Sequence, residues 1–270
     1  MPLAHLADRS VLRLSGPDVR AFLQGLITND IGLLQPGRPL YAGLLSPQGK
    51  ALFAFILFAD GEDVLLDCAA ADREELARRL LMFRLRRQVA IRPEEGLSVF
   101  ADWGPVATGH PADPRVPAAG TRWLAPSGSA APDAGSADWH RHRLAHGIPE
   151  AGEIGRDELL WLETNARELN GVSFTKGCFV GQENTARMHY RDRLRKRLLT
   201  LRVPEDAPAE GAVMAGEREA GALRGARHGD LQMALLRTEF LGADLSVGGR
   251  PVALLRPAWL SRAAAQGDVS

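Results

Sequence analysis

Cysteine is scarce: the chain of 270 residues holds two, Cys68 and Cys178. Two thiols cannot complete a four-thiolate metal or cluster site within one chain. They allow one disulfide at most, and a core of this size needs none. An excess of either charge is also missing, with 33 basic side chains against 33 acidic ones. No global field draws the protein onto nucleic acid or an anionic membrane. Long apolar runs are absent too. The longest, residues 51–59, is too short to cross a bilayer. The opening Met1-Pro2-Leu3-Ala4-His5 has no basic region followed by an apolar run and a cleavage site, so no secretion signal and a reducing cytoplasmic location are expected.

What is present is enough apolar residue, 45%, for a sizeable core in one or two domains. Ser15-Gly16-Pro17-Asp18 reads as a helix start, and Val19, Phe22, Leu23 and Leu26 come next on one face, which predicts a helix ending near Asn29-Asp30. Runs 40–45 and 51–58 flank Ser46-Pro47-Gln48-Gly49 and predict a β-hairpin. A strand over 64–68, a helix over 72–87 and strands over 89–91 and 97–103 are expected next. Residues 104–137 are rich in Pro, Ala, Gly and Ser and read as a long loop with one strand at 121–124. Helices are expected over 138–146 and 156–165. After Leu194 short strands at 198–203, 212–214, 222–227, 231–236 and 252–255 alternate with Gly, Pro and Asp, the pattern of a small β-barrel or sandwich. The expected class is α+β with antiparallel sheet, residues 1–193, followed by a β-rich domain, 194–270.

The most unusual stretch runs Gly171-Val172-Ser173-Phe174-Thr175-Lys176-Gly177-Cys178-Phe179-Val180-Gly181-Gln182-Glu183. Its three glycines permit sharp turns and close backbone approach. Lys176 stands two residues from Cys178, and an ammonium near a thiol favours the thiolate, the form that attacks or ligates. A helix opening at Gln182-Glu183 would add positive potential. Cys68, inside Val64-Leu65-Leu66-Asp67-Cys68-Ala69, reads as a packed strand residue.

Lys176-Gly177-Cys178-Phe179-Val180-Gly181-Gln182-Glu183 resembles the signature of the YgfZ/Iba57 family, and Asn184-Thr185-Ala186-Arg187 with His189 resembles the family's segment after the signature. Phe22-Leu23-Gln24-Gly25 with Thr28-Asn29-Asp30, and Leu45-Ser46-Pro47-Gln48-Gly49-Lys50, are similar to the family's first helix and first hairpin. The resemblance implies a fold like the folate-dependent T-protein, an aminomethyltransferase: an α+β region of mixed antiparallel sheets with a small C-terminal β-barrel. It implies a factor in maturation of [4Fe–4S] proteins that binds tetrahydrofolate, works beside an A-type scaffold protein, and is a monomer alone. Cys178 would be the working residue, as nucleophile or as ligand to a transient [2Fe–2S] or [4Fe–4S] cluster shared with the partner, with Lys176 assisting. Asn29, Glu163, Asn165, Gln182, Glu183 and Arg187 are the candidates for holding folate.

One position departs from the T-protein pattern. Where those enzymes carry an aspartate after the first hairpin, this chain has Ala54, which cannot handle a proton. A one-carbon transferase is therefore the second reading. A tRNA-linked module acting through Arg187, Arg191, Arg193, Arg195, Lys196 and Arg197 is the third, although no aromatic stacking motif accompanies those charges. His140, His142 and His146 crowd one segment without an acid or cysteine at metal-ligand spacing in the sequence.

Overall fold

The apolar run around the Ser46–Gly49 turn organises the first half of the molecule. In the computed structural model, which describes residues 1–104, 109–190 and 194–260, the chain opens with β1 (Leu3–His5), β2 (Arg9–Ser15), α1 (Val19–Gln24), β3 (Leu40–Leu45), β4 (Ala51–Asp60) and β5 (Asp63–Ala69). Next come α2 (Arg73–Arg84), β6 (Ala90–Pro93), β7 (Leu97–Asp102), β8 (Thr121–Pro126), α3 (Ser136–Ala145), α4 (Ala151–Ile154) and α5 (Gln182–Tyr190). The chain closes with β9 (Lys196–Arg202), β10 (Ala212–Ala215), β11 (Arg218–His228), β12 (Leu231–Arg237), β13 (Leu245–Val247) and β14 (Arg250–Leu254).

Three sheets result. A five-stranded sheet has the order β3-β4-β5-β2-β6, a three-stranded sheet has β1-β7-β8, and the last six strands close a barrel in the order β10-β11-β12-β9-β14-β13. Every strand pair is antiparallel. Closure leaves the barrel with no free edge. One face of the five-stranded sheet packs under α1 and α2 through Phe22, Leu23, Leu76 and Leu80; the other packs on Trp161, Leu144 and Leu198.

Two expected helices are corrected. The first stops at Gln24 rather than near Asn29-Asp30, because Thr28 turns to donate its hydroxyl to the Gly171 carbonyl. The helix expected over 156–165 is a short 3-10 turn, Trp161–Thr164. Asp157 and Asn165 hold φ of 58° and 65°, a left-handed backbone that breaks an α-helix. Of the other two expected helices, that over 72–87 is α2, which ends at Arg84, and that over 138–146 is α3.

The sheets, α3 and α4 meet over a buried ionic network. Arg9 and Arg122 share Asp67 at 2.6 and 2.7 Å. Arg115 pairs with Asp113 at 2.7 Å, and Arg143 with Glu153 at 2.9 Å. Glu150 lies within 3.3–3.9 Å of Arg115, Arg122, Arg9 and Arg143. Despite burial, these guanidinium groups, Arg9 and Arg143 foremost, hold the Glu150 carboxyl well below the usual carboxylate range.

Candidate functional site

The signature segment is a loop held between two earlier pieces of chain. At the end of α1 the last carbonyls have no helical donor. The Lys176 ammonium fills that position, donating to the carbonyls of Gln24 and Ile27 at 2.6 Å each and of Asn29 at 3.0 Å. Thr28 accepts from Gly43 N at 2.8 Å while donating to Gly171, and its own carbonyl accepts from Ser173 N at 3.0 Å. Trp161 Nε1 donates to the same Gly171 carbonyl at 3.0 Å. The indole reaches it because Gly43 has no side chain: a Cβ there would lie 2.9 Å from the Trp161 ring.

The other side of the loop rests on the β3–β4 hairpin. Gly181 has φ +82°, and a Cβ there would fall 2.5 Å from the Ser46 carbonyl oxygen. Asn184 Nδ2 donates to Gln48 O at 2.8 Å. The three sequence pieces that carry the family resemblance, around Thr28-Asn29, Ser46-Gly49 and Lys176-Glu183, thus form one contact. Between these anchors Cys178 is exposed, while Lys176 before it and Phe179 after it are buried. The 3-residue step to α5 leaves the thiol just ahead of that helix, and Phe174 of the same loop stacks on His189 of α5 with ring centroids 3.7 Å apart. Cys68 is buried, and burial pushes its thiol up to about 12.

Several expected roles change in this geometry. Lys176 does not serve the thiol with a free ammonium; its three donors are taken by carbonyls. Asn29 donates to Tyr41 O and Asn170 O and accepts from Asp30 N. Asn165 donates to Leu198 O at 2.6 Å and accepts from Arg197, which ties the 3-10 turn to the first barrel strand. Glu163 accepts from Leu160 N, and burial raises its pKa. Gln182 opens α5, and Glu183 pairs with Arg187 at 2.8 Å on that helix's exposed side. Arg191 and Arg193 lie outside the described residues, and Arg197 is bound to Asn165 and Glu168.

Two surface concavities of about 610 and 560 Å³ are lined by Met1, Trp103, Asp133, Asp138, Arg141 and His142, and by Asp18, Leu85, Arg86 and Arg87. Neither includes Cys178 or a folate candidate. Ala54 faces Gly43 across β3 and β4 and offers no polar atom. The side-chain amides of Asn29 and Asn165 are spent on the protein's own backbone. Asp8, His140 and Glu150 do bring ligand-type atoms within 4.8 Å. However, His140 Nδ1 accepts from Arg143 and Nε2 faces Asp8 at 3.2 Å, so no imidazole lone pair remains for an ion.

Burial lowers the Lys176 pKa from 10.5 to about 8, against the pull of the Asp30 carboxylate. Between those two values the unfolded chain holds more protons than the folded one, so this group's contribution to stability rises with pH. The melting temperature of wild type relative to Lys176→Met is expected to climb from pH 7.5 to pH 10. A constant difference would mean that Lys176 does not titrate in this window.

Comparison with known proteins agrees with the geometry. The model of the CAF17 C-terminal beta-barrel domain matches residues 195–262. The human and mouse proteins named "Iron-sulfur cluster assembly factor IBA57, mitochondrial" are 33% and 34% identical over 283 and 285 residues, covering 90% of this chain and 79% of each relative. The glycine cleavage system aminomethyltransferase T of Bartonella henselae superposes with a TM-score of 0.73 over 96% of this chain and 85% of its own, at 15% identity, which establishes a shared fold. The fold expected from the sequence, α+β with a closing barrel, is therefore observed. The cytoplasmic location is not upheld, since the human and mouse relatives are named mitochondrial.

Proposed function

The chain belongs to the IBA57 family of iron–sulfur cluster assembly factors, and from that premise we propose that its part in assembly runs through the thiol of Cys178. One observation carries the reading: Cys178 is exposed on a loop whose two neighbours in the signature, Lys176 and Phe179, are buried as anchors. A thiolate held outward this way can bind iron without the backbone moving to present it. One exposed thiol cannot complete a cluster's ligand set. The remaining ligands come from a partner, and an A-type scaffold protein, which offers its own thiolates, is the partner we propose. The cluster is cargo in this scheme, held across the interface and passed on.

Tetrahydrofolate takes no step in the scheme; of its candidate residues, Asn29 and Asn165 are engaged inside the protein. Aminomethyl transfer has no proton-handling group at Ala54.

The test is anaerobic mixing of the purified chain with a cluster-loaded A-type scaffold. A complex with thiolate-to-iron absorption is expected with wild type and absent with Cys178→Ala. An identical cluster-bearing complex with the alanine variant would overturn the reading.

A further inference from the structure

Leucine at a glycine position marks a second working surface. Just past α2, Leu85 has φ 50° and ψ −120°, and Arg87 N donates to Arg84 O at 3.0 Å. That is the first central position of a type II′ turn, a place glycine takes because other side chains clash with their own backbone. A leucine held there needs a reason in packing, yet Leu85 is 85% exposed and buries nothing.

Its surroundings are equally unusual. Leu81 and Met82, one turn of helix earlier, are 44% and 65% exposed. Arg84, Arg86 and Arg87 flank Leu85 in the chain, and among the described residues none of the three takes part in an ion pair, although Arg84 Nη1 donates to Val89 O at 3.4 Å. Leu85, Arg86 and Arg87 line the 560 Å³ concavity, whose fourth wall is Asp18, already accepting from Gln88 N at 2.7 Å. Exposed apolar side chains beside arginines that lack a carboxylate partner are what an interface core and its charged rim look like before the partner arrives.

We propose that the Arg84–Arg87 turn is a docking site for an acidic protein segment, with Leu85 as its apolar anchor. Carboxylates of the partner meet Arg84, Arg86 and Arg87, and an apolar side chain of the partner packs on Leu81, Met82 and Leu85. A lipid surface fits less well. A concavity is filled by a protruding side chain rather than a flat bilayer. The site stands apart from the thiol but not far from it: Asp18 precedes α1, and Gln24 at the other end of that six-residue helix, about 9 Å away, binds Lys176.

The decisive variant is Leu85→Gly. It relieves the backbone, so the full chain is expected to melt about 2–4 °C higher while losing the anchor. The probe is a labelled peptide of two Leu-Glu-Glu-Leu-Leu-Glu-Glu heptads, with a counterpart carrying Lys for every Glu as control. Wild type is expected to bind the acidic peptide in a salt-sensitive way and not the basic one. Leu85→Gly is expected to bind it about tenfold more weakly, as is Arg86→Ser with Arg87→Ser. Unchanged binding by Leu85→Gly would overturn the proposal. So would binding to phosphatidylglycerol vesicles with none to the peptide, or a lower melting temperature for the glycine variant, which would make Leu85 a structural residue.

Discussion

Cells whose only copy of the chain carries Cys178→Ala are expected to lose aconitase-type activity, down to the level of cells lacking the protein. The protein itself should persist. Cys178 is exposed, and the signature loop is tied by Lys176, Thr28 and Asn184 rather than by the thiol. An exposed substitution of this kind shifts stability by less than about 0.5 kcal/mol, so the melting temperature should move by no more than about 2 °C. The two measurements separate function from folding. Full aconitase-type activity with the variant would remove the thiol from the mechanism, whereas a collapsed melting curve would show that the loop depends on it.

The largest effect on stability should come from Glu150→Gln. That carboxylate lies within 3.9 Å of four arginines, and its loss leaves a surplus of buried positive charge. Removing one partner of a buried ionic group costs about 3–5 kcal/mol, which corresponds to a melting temperature lower by roughly 10 °C. The pH dependence has a definite sign. Because the Glu150 carboxyl is held well below its ordinary value of 4.5, its contribution is complete above pH 4.5 and is lost only as pH falls through the depressed folded value. The gap between wild type and Glu150→Gln should therefore stay level from pH 7 to about 4.5 and narrow only in stronger acid.

Much of the fold was legible in the sequence because its signals are local. The β3–β4 hairpin announces itself through Ser46-Pro47-Gln48-Gly49, and the barrel through short strands separated by turn residues. β13 escaped because three residues, Leu245–Val247, carry no periodicity. The helix read over 156–165 failed because left-handed Asp157 and Asn165 are set by tertiary bonds, among them Asn165 to Leu198, which no local pattern encodes. The same limit governs the site. Cys178 stood out through its glycines, but the partner of Lys176 did not. Two positions apart in an extended segment, both side chains would share one side; the loop bends there instead, so Lys176 is buried while Cys178 is exposed, and the carbonyls that claim the ammonium belong to residues about 150 positions earlier. Asn29 and Asn165 were read as ligand contacts for the same reason: a polar residue in a loop is as often spent on its own backbone. Gly43 carried a signal that went unused, since an isolated glycine in a strand marks close approach, here of Trp161.

The contrast between the two sulfurs has a practical reach. With Cys68 walled in by β-sheet and protonated far above neutrality, a maleimide dye or nitroxide offered to the native chain has a single address. The wild-type sequence thus arrives ready for spectroscopy: one tag, placed without engineering, reports from the signature loop itself and would register a partner's arrival as a change in tumbling.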